Sequence, residues 1–244
     1  NMGTMAIENK TVGKLVDEEY RKAKIFKKFG IDFCCGGGVS IDKACEVYGA
    51  DKEKVLSDLE MLDLKDIDPD IDYNNWPLEK LLNHIIESHH TYVREAIPIV
   101  SQFVTKVKNV HGDNKPNVAE IADIFNAVAE ELHSHLEKEE KILFPYLRHL
   151  LAAEKGEEFI GPHFREAKNP IGVMLAEHED AGDALMKIQE LTNDYNPPKG
   201  ACATHQVSYA YLKEFFEDLV QHVHLENNIL FPKIISLENK LRSI

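Results

Sequence analysis

The stretch His-Leu-Glu-Lys-Glu-Glu-Lys-Ile-Leu-Phe-Pro occupies residues 135–145, and His-Val-His-Leu-Glu-Asn-Asn-Ile-Leu-Phe-Pro occupies residues 222–232. Both read H-x-x-x-E-x-x-I-L-F-P. Residues four apart in an α-helix project from the same face, one turn apart. Each stretch therefore predicts a helix that presents a histidine and a glutamate side by side.

Each histidine–glutamate pair lies within an apolar stripe at helical spacing. The two stripes have matching offsets and comprise Val128, Leu132, His135, Leu136, Glu139 and Leu143 in the first copy, and Phe215, Leu219, His222, Val223, Glu226 and Leu230 in the second. A buried carboxylate needs a partner of opposite charge. Two copies supply two carboxylates and two imidazoles, which indicates a pair of metal ions in the core of a helix bundle.

The repeat extends beyond the motif. His90 lies 45 positions before His135, and His178 lies 44 positions before His222. Apolar residues accompany both histidines, so the sequence predicts two related helical hairpins that pack together. The expected fold is all-α, an up-down four-helix bundle preceded by a small helical domain.

The predicted domain boundaries follow shifts in composition. Residues 1–66 form a small helical domain with a Cys-Cys loop, residues 67–76 an acidic linker, and residues 77–244 the bundle. Thr11, Ser40 and Asp51 are expected to cap short helices of the first domain. Because such helices bury little apolar area, this domain is expected to lean on another surface or to form a homodimer.

Composition excludes several classes of protein. The chain has 244 residues, 43% of them hydrophobic and 29% charged, with a net charge of -14. This charge argues against nucleic acid or an anionic membrane as a partner. No apolar run approaches the length of a membrane span and no signal peptide is evident, so a cytoplasmic protein is expected.

The two hairpins together offer four imidazoles and two carboxylates as ligands: His90, His135, Glu139, His178, His222 and Glu226. This donor set in a bundle core favours iron, with the carboxylates bridging two ions. Few anionic ligands leave positive charge on the metals, which favours binding of oxygen or nitric oxide. Glu137, Glu140 and Glu177 are expected to be solvated or to orient ligating imidazoles.

The other histidines lack a matched twin with a glutamate, or fall off the stripes, and are expected to be ordinary. They are His84, His89, His111, His133, His149, His163, His205 and His224. His89, next to His90, is the ambiguous one, because only His90 continues the stripe through Ile86 and Val93.

The H-x-x-x-E motifs of the bundle resemble those of hemerythrin-like domains. Asp32-Phe33-Cys34-Cys35-Gly36-Gly37-Gly38, followed by a bundle with histidines, is similar to the repair of iron centres family, the ScdA/YtfE type. Further matches are Asn193-Asp194-Tyr195, Pro197-Pro198, Cys202 and residues 222–232, so the resemblance covers nearly the whole chain.

This resemblance implies a non-haem di-iron centre with oxo and carboxylate bridges in a bacterial cytoplasmic protein. It implies restoration of iron–sulfur clusters damaged by nitric oxide or peroxide, with damaged iron–sulfur proteins as partners. Carried over by motif, the implied ligands are the same six residues, and none is missing.

Cys34 and Cys35 lie between an aromatic residue and three glycines, which let the backbone approach another surface closely. Two adjacent thiols cannot complete a tetrahedral metal site alone, and a disulfide between neighbours is strained. They are expected to receive a ligand, relay electrons or hold iron in transit. The alternative is a tight turn with two small buried side chains. Cys45 and Cys202 are expected to be packing residues.

Three functions use the predicted site. The leading one is repair of damaged iron–sulfur clusters by supplying iron. The second is reduction of nitric oxide or transfer of a nitrosyl group at the di-iron centre, with enzymatic activity left open. The third is an oxygen or nitric oxide carrier or sensor of hemerythrin type, which gives the Cys-Cys domain no role. A structural bundle whose buried polar residues pair with each other is the remaining alternative.

Overall fold

The computed structural model describes residues 7, 9–19, 21–33, 37–63 and 72–243. Within these ranges no β-strand occurs, and the single isolated bridge joins Thr11 to Ser40. The all-α prediction is therefore confirmed. The chain forms two compact units, residues 1–81 with 223–233 and residues 82–222 with 234–244. The predicted division at 67–76 stays a prediction, since residues 64–71 lie outside the described ranges.

Among the described residues from Lys10 to Asp63, the first unit contains four short helices: α1 (Val12–Glu18), α2 (Lys22–Lys28), α3 (Ile41–Tyr48) and α4 (Lys52–Asp63). The predicted N-terminal caps are found on α1, α3 and α4, whereas Arg21 before α2 makes no side-chain cap. The hydroxyls of Thr11 and Ser40 each accept from a backbone N–H three residues on, at 3.2 Å. Asp51 accepts from two backbone N–H groups at 3.1 and 3.3 Å. Gly49 ends α3 with φ of 66°, a conformation that glycine adopts without strain.

The core of the first unit includes a segment from near the end of the chain. The short helices bury apolar side chains, among them Val12, Leu15, Phe26, Ile41 and Leu59. Against α1 packs a π-helical turn, π3 (Leu225–Leu230). The side-chain amide of Asn228 in π3 donates to the carbonyl oxygen of Phe33 at 3.2 Å. The small domain thus gains part of its buried surface from residues far along the sequence.

The remaining helices are α5 (Leu78–His84), α6 (Thr91–His111), α7 (Pro116–Lys138), α8 (Phe144–Glu154), α9 (Lys168–Leu191), α10 (Ala203–His224) and α11 (Phe231–Arg242). Two more π-helical turns, π1 (Ile85–His90) and π2 (Glu139–Leu143), join α5 to α6 and α7 to α8. The hairpin α6–α7 packs along α9 through α7. Ring contacts of Phe103 with Tyr211 and of Tyr92 with Phe215 join α6 to α10. The four long helices therefore form the predicted bundle.

The buried faces of the bundle follow the predicted stripes. On α9 the buried residues are Ile171, Met174, His178, Ala181, Leu185 and Ile188. Every member of the two motif stripes is also buried. Pro98 lies inside α6, which continues to His111. No helix in the described ranges has the length and apolarity needed to cross a bilayer.

Candidate metal centre

The three π-helical turns lie where the bundle presents its predicted ligands. His90 ends π1, Glu139 begins π2 and Glu226 is the second residue of π3. The other candidates lie on α-helices: His135 in α7, His178 in α9 and His222 in α10. A π-helical turn inserts an extra residue into a helix and often marks a functional site. Here each such turn contains one buried candidate ligand.

The proline of the repeated motif explains two of the three turns. Within a regular α-helix, a proline ring clashes with the carbonyl four residues earlier and cannot donate to it. For Pro145 that carbonyl belongs to Lys141 in π2, and for Pro232 it belongs to Asn228 in π3. The wider turn relieves this conflict. No proline lies four residues after any residue of π1, so this explanation applies to π2 and π3.

The six candidate side chains converge into two overlapping groups. One group contains His90, Glu139, His222 and Glu226, and the other contains His135, Glu139, His178 and Glu226. Within each group the candidate ligand atoms lie within 4.8 Å of one another, and both glutamates belong to both groups. The six side chains are between 0% and 2% exposed. The structure therefore places every predicted ligand in one buried cluster.

Glu139 lies between two imidazoles. Its Oε2 is 3.3 Å from Nε2 of His90, and its Oε1 is 3.3 Å from Nε2 of His135. Nε2 of His135 is in turn 2.9 Å from Nε2 of His178. Two nitrogens bound to one cation at right angles, with bonds near 2.0–2.1 Å, would be about 2.9 Å apart. The spacing of these atoms therefore suits ligands of shared cations.

Carboxylates just outside the cluster orient two of its imidazoles. Nδ1 of His90 donates to Glu140 at 2.7 Å, and Nδ1 of His135 donates to Glu177 at 2.7 Å. Because a carboxylate only accepts, these bonds leave the Nε2 lone pairs directed at the cluster. Glu140 and Glu177 are therefore placed to orient the candidate imidazoles of His90 and His135, whereas Glu137 pairs with Lys141 at the surface.

Both orienting carboxylates remain ionised. Burial alone would raise the pKa of Glu140, but hydrogen bonds from Arg94 and His90 lower it below its usual value. Burial likewise opposes a lowered pKa of Glu177, and hydrogen bonds from Lys138 and His135 outweigh it. The negative charge on each carboxylate raises the basicity of the imidazole it holds, which strengthens that imidazole as a ligand.

The donor set fits a cation-binding site. Two buried carboxylates are costly unless cations or hydrogen-bond donors compensate them. Neutral imidazole nitrogens and carboxylate oxygens are ligands that iron, zinc and manganese accept. Apolar walls exclude water from the cluster, for example the ring of Phe144, which stacks on His90 at 5.5 Å between centroids.

His89 is buried, contrary to the prediction from the sequence. It was expected to fall off the buried stripe, yet it is only 4% exposed, and its Nδ1 lies 3.0 Å from Oδ1 of Asp218. The reason is π1, whose wide turn buries His89 and His90 together. The same turn buries Ile85 and leaves Ile86 only partly covered. Nothing in the sequence signals this turn, so helical periodicity alone could not place His89.

The other histidines and cysteines differ from one another in burial. His224 and His205 are buried, and burial lowers the pKa of His224 to about 3, so its imidazole is neutral. Cys45 is buried as expected, and burial raises the pKa of its thiol. Cys202 is not a packing residue: it is exposed, and its Sγ lies 3.4 Å from Nε2 of His111. Cys34 and Cys35 lie outside the described residues.

Comparison with known families assigns a class to this architecture. The sequence profile described as the hemerythrin HHE cation binding domain matches residues 81–234. The profile ScdA_N, a domain of unknown function, matches residues 8–63. The first match spans the helices that carry all six candidate ligands. The chain is thus a hemerythrin-type cation-binding protein with an ScdA_N domain before the bundle.

Relatives that are similar over their whole length narrow this class to one family. The Iron-sulfur cluster repair protein YtfE of Citrobacter koseri is 34% identical over 235 residues, which are 96% of this chain and 100% of that protein. The protein of the same name from Yersinia pseudotuberculosis is 34% identical over 231 residues, 95% of this chain and 99% of its own. The chain belongs to this family of YtfE-type iron-sulfur cluster repair proteins.

Proposed function

We propose that this protein holds two non-haem iron ions and repairs iron–sulfur clusters damaged by nitrosative or oxidative stress, by supplying iron. The observation that carries the proposal is the pair of four-residue groups that share Glu139 and Glu226. Shared carboxylates are the natural bridges between two cations. The relatives named as cluster repair proteins support the function.

Each residue of the cluster has a defined task in this proposal. His90 and His222 would hold one ion, His135 and His178 would hold the other, and the carboxylates of Glu139 and Glu226 would be shared by both. Glu140 and Glu177 keep His90 and His135 in the tautomer that offers Nε2. The apolar side chains around the cluster exclude water and competing ligands from it.

The proposed centre would serve both as a source of iron and as a site for small ligands. Of its six candidate ligands only two are carboxylates, and the four imidazoles are neutral donors. Bound iron would supply both the ion that a damaged cluster lacks and a site for small ligands such as nitric oxide or oxygen. The proposed partners are therefore iron–sulfur proteins that have lost iron.

A repair assay tests this function. The iron-loaded protein is mixed with an iron–sulfur enzyme inactivated by nitric oxide, and recovery of that enzyme's activity is measured. We expect recovery with the wild type and none with Glu139→Ala or Glu226→Ala. Glu137→Ala is the matched control, because Glu137 lies on the same helical stretch but faces solvent. Equal recovery with metal-free protein would exclude iron supply.

We also propose that the thiols of Cys34 and Cys35 handle iron in transit. The same assay with Cys34→Ser and Cys35→Ser should show slower recovery at an unchanged iron content. Formation of nitrous oxide or nitrosothiol during anaerobic turnover would instead favour nitric oxide chemistry at the centre. Unchanged recovery in both variants would leave these thiols without a part in repair.

A further inference from the structure

A fifth histidine, His89, lies against the cluster but belongs to neither group of candidate ligands. The ring of His89 is stacked on that of His222, with centroids 5.4 Å apart and planes 15° from parallel. His89 is 4% exposed, and its Nδ1 lies 3.0 Å from Oδ1 of Asp218. Asp218 precedes His222 by four residues on α10, so the two project from the same face of that helix.

The hydrogen bond to Asp218 fixes the orientation of the His89 ring relative to His222. A carboxylate only accepts, so Nδ1 of His89 carries the proton and its ring is tied to α10. The ring then forms a flat wall along one side of the His222 imidazole. Rotation of His222 about its terminal side-chain bond would drive its ring into this wall. The arrangement restricts His222 to the orientation that directs it at the cluster.

We propose that His89 and Asp218 are positioning residues for His222, and that they set the affinity for one of the two cations. This inference rests on the proposed function, since it assumes that the cluster binds metal. For His90 and His135 the comparable task is performed by carboxylates bound directly to their rings, Glu140 and Glu177. For His222 the orienting group is the stacked imidazole of His89, which Asp218 holds in place.

The inference makes a site-selective prediction. His222 belongs only to the group with His90, whereas His135 and His178 form the other group with the same two glutamates. Loss of the His89–Asp218 pair should therefore lower the affinity for one cation and leave the affinity for the other unchanged. Outer partners of metal ligands usually contribute about 10- to 100-fold in affinity. We expect a loss of that size for one ion in Asp218→Ala and His89→Ala.

The experiment compares full-length variants loaded with ferrous iron. Iron per chain is measured during titration with a chelator, and Mössbauer spectra are recorded for the two iron sites. In Asp218→Ala and His89→Ala, one iron should leave at a lower chelator concentration, with one of two spectral components altered. His89→Phe keeps a flat ring and should fall between the wild type and His89→Ala. His133→Gln, at an exposed position on α7, is the control and should match the wild type.

Each outcome separates this inference from the proposed function. If the wild type binds no iron, the proposed centre fails and the inference fails with it. If the wild type binds two irons and both Asp218→Ala and His89→Ala release them as the wild type does, only the inference is overturned. An equal loss of affinity for both ions would also overturn the inference, since that pattern indicates a general loss of structure. Should the alanine variants fail to fold, Asp218→Leu applies the same criteria, because leucine is similar in size and cannot accept the hydrogen bond from His89.

Discussion

At the scale of single residues, the proposed ligands depend on carboxylates that lie just outside the cluster. Glu177 accepts from His135 and pairs with Lys138. Glu177→Ala should lower the affinity for metal about 10- to 100-fold, because the imidazole loses both its orientation and its negative partner. Competition with a chelator measures this loss.

The control for that measurement is Glu137→Ala. Its carboxylate pairs only with Lys141 at 3.1 Å in the described structure, and it is 47% exposed. It should leave metal affinity unchanged. An equal loss in both variants would show that general surface charge, rather than orientation of His135, governs binding.

Glu238 is a buried residue whose role is structural. It is 3% exposed, accepts from the Tyr146 hydroxyl at 2.5 Å, and accepts from the backbone N–H of Ala167 at 3.0 Å. Burial and this carboxylate raise the pKa of Tyr146, so its hydroxyl remains a donor. Glu238→Ala should lower the free energy of unfolding by about 3 kcal/mol, because it leaves buried donors without an acceptor.

Urea unfolding of the metal-free protein measures this change. Glu157→Ala, at an exposed position, should stay within about 0.5 kcal/mol of the wild type. A loss of similar size in both variants would contradict the buried role of Glu238.

Sequence reasoning succeeded best with ligands that follow helical periodicity. His135, His178 and His222 each continue an apolar stripe, and the histidine–glutamate spacing of the repeat identified Glu139 and Glu226. Their meeting in one cluster follows from packing two hairpins with equivalent stripes. His89 and Cys202 could not be placed this way, because their environments depend on a local break in a helix and on a loop.

At the scale of elements, the π-helical turns are what the sequence did not predict. A regular α-helix advances 100° per residue, so His90 would rotate away from the face that Leu82 and Ile85 define. The wide turn of π1 corrects this and brings His89 inside as well. In π2 and π3 the prolines of the motif give a local reason for the turn.

This explanation of π2 predicts opposing effects for Pro145→Ala. The new N–H can donate to the carbonyl of Lys141, so a regular α-helix becomes more favourable by up to about 3 kcal/mol. The metal-free protein should then unfold at higher urea concentration, while metal affinity falls because the turn that begins at Glu139 changes shape. Urea unfolding and chelator competition measure the two effects.

Pro116→Ala serves as the control for Pro145→Ala. Pro116 is at the first position of α7, where a proline costs nothing, so its replacement should alter neither property. If Pro145→Ala raised stability and left metal affinity intact, π2 would have no part in presenting Glu139.

At the scale of the whole molecule, the two hairpins depend on each other for cation binding. Each group takes two candidate ligands from α6–α7 with π1 and π2, and two from α9–α10 with π3. Bound cations would therefore cross-link the hairpins. Removal of metal should lower the free energy of unfolding by about 2.7 kcal/mol for each ion present at 100 times its Kd. Thermal unfolding before and after chelation should show this, with Glu139→Ala unaffected by the chelator.

Iron content together with Mössbauer spectroscopy, on protein purified from cells grown with iron, tests the central claim most directly. The proposed centre predicts about two irons per chain in a coupled pair, and loss of both in the Glu139→Ala, Glu226→Ala double variant. Fewer than about one ion in ten chains, or the same iron content in the double variant, would contradict it.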